Sequence, residues 1–335
     1  MSIQHNISLK KYNTFGVDAK AKRFISVSTL LEIQQLLKRE KDLLIIGSGS
    51  NILLTKDIEK IVVHINLKGI FIDSENQNFI FLTVNAGENW HEFVLWCVSK
   101  NYGGVENLSL IPGSVGACPI QNIGAYGAEV KNVITQVNTI EIKTGKSVSF
   151  LNKECEFSYR NSIFKNWAKG KYIITSVGFK LTKNKHKINT SYGAIDKELK
   201  SKNIYNPTLK DISNIVISIR QLKLPNPKKI GNSGSFFKNP VILPEHFNKL
   251  LKKYPSMPHY LVSKNEIKIP AAWLIEQCGF KGKKFGSFGI HDKQALVIVN
   301  YGKATGKDIY NLAQLILKNV KQKFSIHLEI EVNIF

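Results

Sequence analysis

Arginine is nearly missing from this sequence of 335 residues. Of 47 basic residues only Arg23, Arg39, Arg160 and Arg220 are arginine, and the rest are lysine. The formal charge of +22 would fit a nucleic-acid binder, but arginine is the usual bidentate reader of phosphate and guanine. The plentiful lysine reads instead as a solvated basic surface that can attract anionic small molecules. Cysteine is also scarce: Cys97, Cys118, Cys155 and Cys278 are far apart with no C-x-x-C pair, which disfavours a disulfide framework or a zinc site. No apolar run approaches the ~20 residues of a spanning helix, and the first residues lack the pattern of a signal peptide. His91-Glu92 has no second histidine at H-E-x-x-H spacing, so metal catalysis has no support. These absences predict a cytoplasmic protein with no membrane or nucleic-acid partner.

Regular elements are legible in the pattern. Thr29 to Glu32 forms a capping box for a helix with Leu30, Ile33, Leu36 and Leu37 on one face. Asp42 to Ile46 reads as a short strand, Lys60 to Ile65 as another, and Trp90 to Asn101 as a helix stopped by Gly103-Gly104. Strand patterns recur at 133–142 and 171–179. The prolines of Leu224-Pro-Asn-Pro227 mark a boundary. Beyond it, helices are predicted after Pro244, at Pro270 and after Thr305, with a strand from Ala295 to Asn300. His327 to Phe335 alternates cleanly, which predicts a strand with Glu329, Glu331 and Asn333 on its polar face.

Three stretches carry chemistry. Gly47-Ser48-Gly49-Ser50-Asn51 follows a strand, yet the third glycine of G-x-G-x-x-G falls at Ile52 and no capped helix follows, so the loop is not a Rossmann fingerprint. Such a loop can cradle a phosphate with backbone N–H groups, and an ordinary turn explains it equally well. Residues 103–127 hold six glycines and two prolines among apolar residues, the composition of a long functional loop packed against a planar ligand, with an unusual structural loop as the alternative reading. Tyr159-Arg160 keeps one of the rare arginines, suited to a carboxylate or phosphate, although a structural ion pair is the commoner fate. Glu331 alone reads as a solvated strand residue. In Gly231-Asn-Ser-Gly-Ser-Phe-Phe-Lys-Asn-Pro240, small polar residues abut two phenylalanines, and Ser235 is either part of a turn or a hydroxyl held for reaction.

Taken in order, Asn13-Thr-Phe-Gly16, Gly47 to Asn51, Ile111-Pro112-Gly113, Pro119 to Gly127, Tyr159-Arg160, Gly231 to Pro240 and Leu328-Glu-Ile-Glu-Val332 resemble the UDP-N-acetylenolpyruvoylglucosamine reductase (MurB) family over nearly the whole chain. Ser191-Tyr192-Gly193 and the doubled phenylalanine are similar to the family's type I members. The resemblance implies an α+β protein, with an FAD-binding fold of the vanillyl-alcohol-oxidase (PCMH) type in two subdomains and a separate α+β substrate domain. The expected extents are 1–222 for the FAD part (about 1–67 and 68–222, with 326–335 returning to it) and 225–324 for the substrate domain.

It also implies NADPH-dependent reduction of the enolpyruvyl group of UDP-N-acetylglucosamine-enolpyruvate through non-covalent FAD, in a monomer whose partners are small molecules. Ser235 would be the proton donor. Arg160 and a protonated Glu331 would meet the negative charge that develops on the substrate. FAD would contact Gly47, Ser48, Gly49, Ser50, Asn51, Ile111, Pro112, Gly113, Gln121, Asn122, Gly124, Ala125 and Tyr126. Tyr192, Arg220, Lys223, Asn239 and Gln294 would line the pocket for the UDP-sugar, and Gly231 and Gly234 would let the backbone approach the ligands. The alternatives are another flavin oxidoreductase on the same scaffold and a basic nucleic-acid binder.

Overall fold

A computed structural model describes residues 2–335. The chain divides into two units, one made of residues up to Asn6, Lys22–Ser48 and Glu59–Leu222, the other of Ile7–Ala21, Gly49–Ile58 and Lys223–Phe335. The segment 326–335, expected with the FAD part, lies in the second unit, where Asn333–Ile334 pairs in parallel with Ile52–Leu53.

The first unit contains two larger sheets and a two-stranded hairpin. The smaller has the order Gln4–Ser8, Lys20–Val27, Ile58–Ile65, Leu43–Ile46, and the last two strands run parallel with Ile46 opposite His64. A parallel pair needs a crossover, here residues 47–57, and helix Leu30–Leu37, which precedes both strands, packs Ile33, Leu36 and Leu37 into the same core as Ile61 and Val63. The predicted capping box is present, with Thr29 Oγ1 accepting from the Glu32 N–H at 3.2 Å. The larger sheet is antiparallel, in the order Ser147–Leu151, Ile134–Glu141, Tyr172–Thr182, Phe79–Asn85, Ile70–Glu75. Its central strand, Tyr172–Thr182, is buried at most positions, as expected of a strand covered on both faces.

Helix Trp90–Ser99 lies on this core. Trp90, Phe93 and Phe179 form an aromatic cluster with ring separations of 5.0 to 6.2 Å. The first left-handed residue after the helix is Asn101, at φ 55°, ahead of the Gly103-Gly104 pair expected to stop it, of which Gly104 has φ 125°; a short polar side chain tolerates that conformation. Two helices that the sequence pattern left unread, Gly193–Ser201 and Leu209–Lys223, bury Ile195, Leu199, Ile212, Ile215, Val216 and Ile219 against each other.

The second unit is built on helices Pro244–Lys253, Ala271–Gln277 and Gly306–Phe324 with three small sheets. Pro244 occupies the first helical turn and Thr305 closes a capping box with Asp308, both as read from sequence. The terminal strand is far shorter than its alternation predicts: only Asn333–Ile334 is regular, with an isolated bridge between Phe237 and Ile330. Glu331, assigned to a polar face, is 9% exposed. An alternating pattern measures face preference only where neighbouring strands supply two faces, and here the segment packs irregularly.

Removing the ring of Phe93, which is fully buried between Trp90 and Phe179, leaves a large cavity. Phe93→Ala is expected to cost about 3–5 kcal/mol in urea unfolding followed by tryptophan fluorescence. A loss under about 1 kcal/mol would mean that the cluster collapses to fill the space.

Candidate active site

The glycine loop leaves the C-terminal end of strand Leu43–Ile46. A Cβ on Gly47 would lie 2.3 Å from Ser114 Oγ, so in the first unit this loop packs at backbone distance against the segment after Ile111-Pro112-Gly113. Gly49 has φ +64°, and its Cβ would lie 1.9 Å from the Tyr12 carbonyl. Only glycine fits there. Asn13 explains the Asn13–Gly16 motif: its amide nitrogen donates to the Leu9 and Val17 carbonyls at 2.8 and 2.9 Å, and its Oδ1 accepts from Val17 N–H at 3.0 Å. The turn so closed sends Thr14 N–H to the Gly49 carbonyl at 3.1 Å. Ser48 is exposed and Ser50 half-buried.

Loop 103–127 contains only short turns and a two-residue hairpin, Gly124–Ala125 with Ala128–Glu129. Leu110, Asn122 and Tyr126 adopt left-handed backbone, with φ of 58°, 46° and 51°. Each such residue costs about 1–3 kcal/mol and persists only where its surroundings hold it. Those restraints are visible. Asn122, fully buried, donates to Glu129 Oε2 and the Ser158 carbonyl at 3.1 Å and accepts from Lys131 N–H at 3.0 Å. Asn107 donates to the Tyr126 and Asn189 carbonyls at 3.0 Å, and Asn189 donates to the Gly127 carbonyl at 2.9 Å. Gln121 and Ile111 are half-buried and Pro112 is exposed.

Two of the four arginines meet beside this loop. Arg160 sits at φ 52° at the tip of a tight turn closed by reciprocal 3.1 Å hydrogen bonds between Ser158 and Asn161. A Cβ on Gly124 would lie 3.4 Å from its Nη1. Arg220, near the end of helix Leu209–Lys223, donates from Nε to the Leu110 carbonyl at 3.2 Å and hydrogen-bonds the Tyr126 hydroxyl. Burial lowers the Arg220 pKa, and Arg160 lowers it further, while Tyr126 opposes the shift. Burial likewise raises the Tyr126 pKa, and the neighbouring Arg220 opposes it. Tyr192 stands edge-on to Tyr126, with ring centroids 5.1 Å apart. Tyrosine faces and two guanidinium groups make a pocket wall suited to an anionic, partly aromatic ligand.

Ser235 and Glu331 are both in the second unit. Glu331 N–H donates to the Phe236 carbonyl at 2.8 Å, so the serine is one residue from the backbone that pairs with Glu331. Among the described residues the half-buried Ser235 hydroxyl makes no hydrogen bond. Ser233 is instead buried, 3.4 Å from the Ile52 carbonyl. Asn51 donates to the Glu331 carbonyl at 3.3 Å, and its own carbonyl accepts from Asn333 N–H and Nδ2 at 3.1 Å.

Asn239 Oδ1 accepts from Ala271 N–H at 2.9 Å, so its amide NH₂ is the half left to donate. Gln294 is half-buried and Lys223 exposed. Gly231 packs on the protein itself, since its Cβ would lie 2.1 Å from the Phe15 carbonyl. That contact is a sufficient reason for the glycine, whereas nothing lies within 4 Å of a Cβ on Gly234, which has φ +68°. The restraining residues Asn107, Asn189 and His91 escaped the sequence reading, because only contact over long sequence separations gives them a task.

The donor set suits FAD. The backbone-lined turn at Gly47 and Ser48, packed against Ser114, offers N–H groups and no carboxylate, as a pyrophosphate requires. No cluster of three or more His, Cys, Asp or Glu residues able to hold a metal occurs among the described residues.

Two histidines make the fold sensitive to acid. Burial lowers the pKa of His91 and of His64 from the ordinary 6.5, with Arg220 and Lys68 respectively adding to the shift. Below 6.5 the unfolded chain therefore binds protons that the folded chain refuses, and stability falls with pH in that window. The thermal midpoint is expected to drop between pH 7.5 and 5.5, with a shallower slope in His64→Asn. A midpoint that stays level or rises on acidification would contradict this.

A family model described as the C-terminal domain of UDP-N-acetylenolpyruvoylglucosamine reductase matches residues 226–335, and one described as an FAD binding domain matches 22–150. The chain is similar to the UDP-N-acetylenolpyruvoylglucosamine reductase of Flavobacterium johnsoniae, 56% identical over 100% of both chains. The enzyme of that name from Amoebophilus asiaticus is 49% identical over 100% of this chain and 99% of its own. The crystal structure of the reductase (MurB) from Thermus caldophilus superposes with a TM-score of 0.71 at 22% identity, covering 100% of this chain and 99% of that one. That likeness, with the FAD binding domain, establishes the α+β fold of that reductase for this chain. The identities over full length leave one assignment: the chain belongs to the UDP-N-acetylenolpyruvoylglucosamine reductase family.

Proposed function

We propose that Ser235, Arg160 and Glu331 carry the chemistry of the family reaction in this chain. That reaction is the FAD-dependent reduction of the enolpyruvyl group of UDP-N-acetylglucosamine-enolpyruvate to UDP-N-acetylmuramate, with NADPH as reductant, in peptidoglycan precursor synthesis. The observation that supports the proposal is the pairing of Glu331 N–H with the Phe236 carbonyl, which brings the backbone of buried Glu331 within one residue of Ser235, whose hydroxyl is uncommitted.

FAD, when bound, relays hydride from NADPH to the terminal carbon of the enolpyruvyl double bond. The loops at Gly47–Asn51, Ile111–Gly113 and 121–126 would hold it, the first through backbone N–H groups. Asn51 and Asn122 would act through backbone as well, because their side chains already bind within the protein. As hydride arrives, negative charge moves onto the substrate carboxylate. Arg160 answers it with a cation carried on a backbone held by the Ser158–Asn161 turn, and preorganised charge of this kind is usually the largest catalytic term. Glu331 assists by donating a proton in a hydrogen bond, since an ionised carboxylate would oppose the same charge. Ser235 then delivers the proton to carbon-2.

Tyr192, Arg220, Lys223, Asn239 and Gln294 would bind the UDP-sugar, with Asn239 donating through its amide. NADPH and the UDP-sugar would occupy one pocket in turn. We assign the protein to the cytoplasm as a monomer, in keeping with small soluble substrates. Among the described residues, no helix is long and apolar enough to cross a membrane.

Ser235→Ala separates the two half-reactions. NADPH should still bleach the flavin absorbance at the wild-type rate, while reoxidation by the enolpyruvyl sugar falls by about 10²–10⁴. Equal slowing of both steps would remove Ser235 from the proton transfer. Alternating use of one pocket predicts parallel initial-rate lines and inhibition at high UDP-sugar. Intersecting lines would require both substrates bound together.

A further inference from the structure

We infer that His91 is a positioning residue for the Ile111–Gly113 segment, acting as a hydrogen-bond acceptor that holds Leu110 in its left-handed backbone. The inference rests on the reading of that segment as part of the FAD cradle.

Both polar backbone groups of Leu110 are taken by side chains from two different helices. Its N–H donates to His91 Nδ1 at 2.9 Å, and its carbonyl accepts from Arg220 Nε at 3.2 Å. Leucine has no preference for φ 58°, so this conformation requires external restraint. The first turn of helix Trp90–Ser99 supplies more of it. Trp90 N–H donates to the Gly113 carbonyl at 3.0 Å, and the Trp90 indole N–H donates to the Leu108 carbonyl at 2.9 Å. Trp90 and His91 thus grip the chain at Leu108, Leu110 and Gly113, and residues 111–112 are stretched between the last two holds.

An acceptor is needed at the δ1 position, and histidine provides one there only when neutral with its proton on Nε2. The neighbouring charges favour that form: burial and the Arg220 cation both lower the pKa of His91, and only Glu92 opposes them. A lysine or arginine here would have no lone pair to offer, and a leucine would leave a half-buried N–H unmatched.

The test measures FAD affinity, by quenching of flavin fluorescence on titration into the flavin-free protein, for wild type, His91→Phe and His91→Asn. Phenylalanine keeps the ring and removes the acceptor, whereas asparagine places Oδ1 where Nδ1 stood. His91→Phe is expected to weaken FAD binding by about tenfold, with binding restored to within about twofold by His91→Asn. Wild-type affinity in both variants overturns the inference. Equal weakening in both overturns it too, because restoring an acceptor would then restore no binding, and so does failure of both to fold. If only His91→Phe fails to fold while His91→Asn binds FAD normally, the acceptor role stands. A wild-type protein that took up no FAD would defeat the cofactor reading itself, a result distinct from any of these.

Discussion

The second unit hangs on the main chain and carboxamide of Asn51. Its carbonyl receives two donors from Asn333, and its side chain donates to the carbonyl of Glu331. Glu331 in turn donates to Phe236, and Phe236 donates to Leu296. A single line of hydrogen bonds thus runs from Asn51, through the backbone of Glu331, to the segment that carries Ser235. Phe335 closes the same ladder, donating to the Leu53 carbonyl at 2.9 Å and accepting from Thr55. Such a ladder sets the backbone spacing of Ser235 and Glu331.

The first unit solves its positioning problem by strain held in place. Leu110, Asn122, Tyr126 and Arg160 all occupy a backbone region that side chains avoid. Leu110 is pinned by His91 and Arg220, Tyr126 by Asn107, Asn122 by its own side chain's bonds to Glu129, Ser158 and Lys131, and Arg160 by a closed turn. Rigid irregular backbone lets a loop present groups at angles that a strand or helix cannot. It also explains why so long a segment without regular structure is well packed.

Local rules were readable and distant ones were not. Thr29, Thr305 and Pro244 announce their helices because a cap depends on residues three or four positions away. The family motifs marked Ser235, Arg160 and Glu331 because each keeps its residue type in a fixed order along the chain. The burial of Glu331 was hidden, since an alternating pattern assumes a regular strand and the segment from His327 to Val332 is irregular. Asn107 gave no signal at all: a polar residue within a glycine-rich loop looks like any turn residue until Asn189, 82 positions on, is seen to share its amide.

The scarcity of arginine has a practical side. Arg23 is paired with Glu40 at 2.8 Å and Arg39 is exposed, which leaves Arg160 and Arg220 as the two guanidinium groups flanking the tyrosine wall. A dicarbonyl reagent, which condenses with guanidinium and spares ammonium, would pass over the lysine coat and find few targets. In most proteins such labelling is indiscriminate. Here it would behave almost as a chemical probe of occupancy, with a ligand on the wall shielding half of the arginines in the molecule.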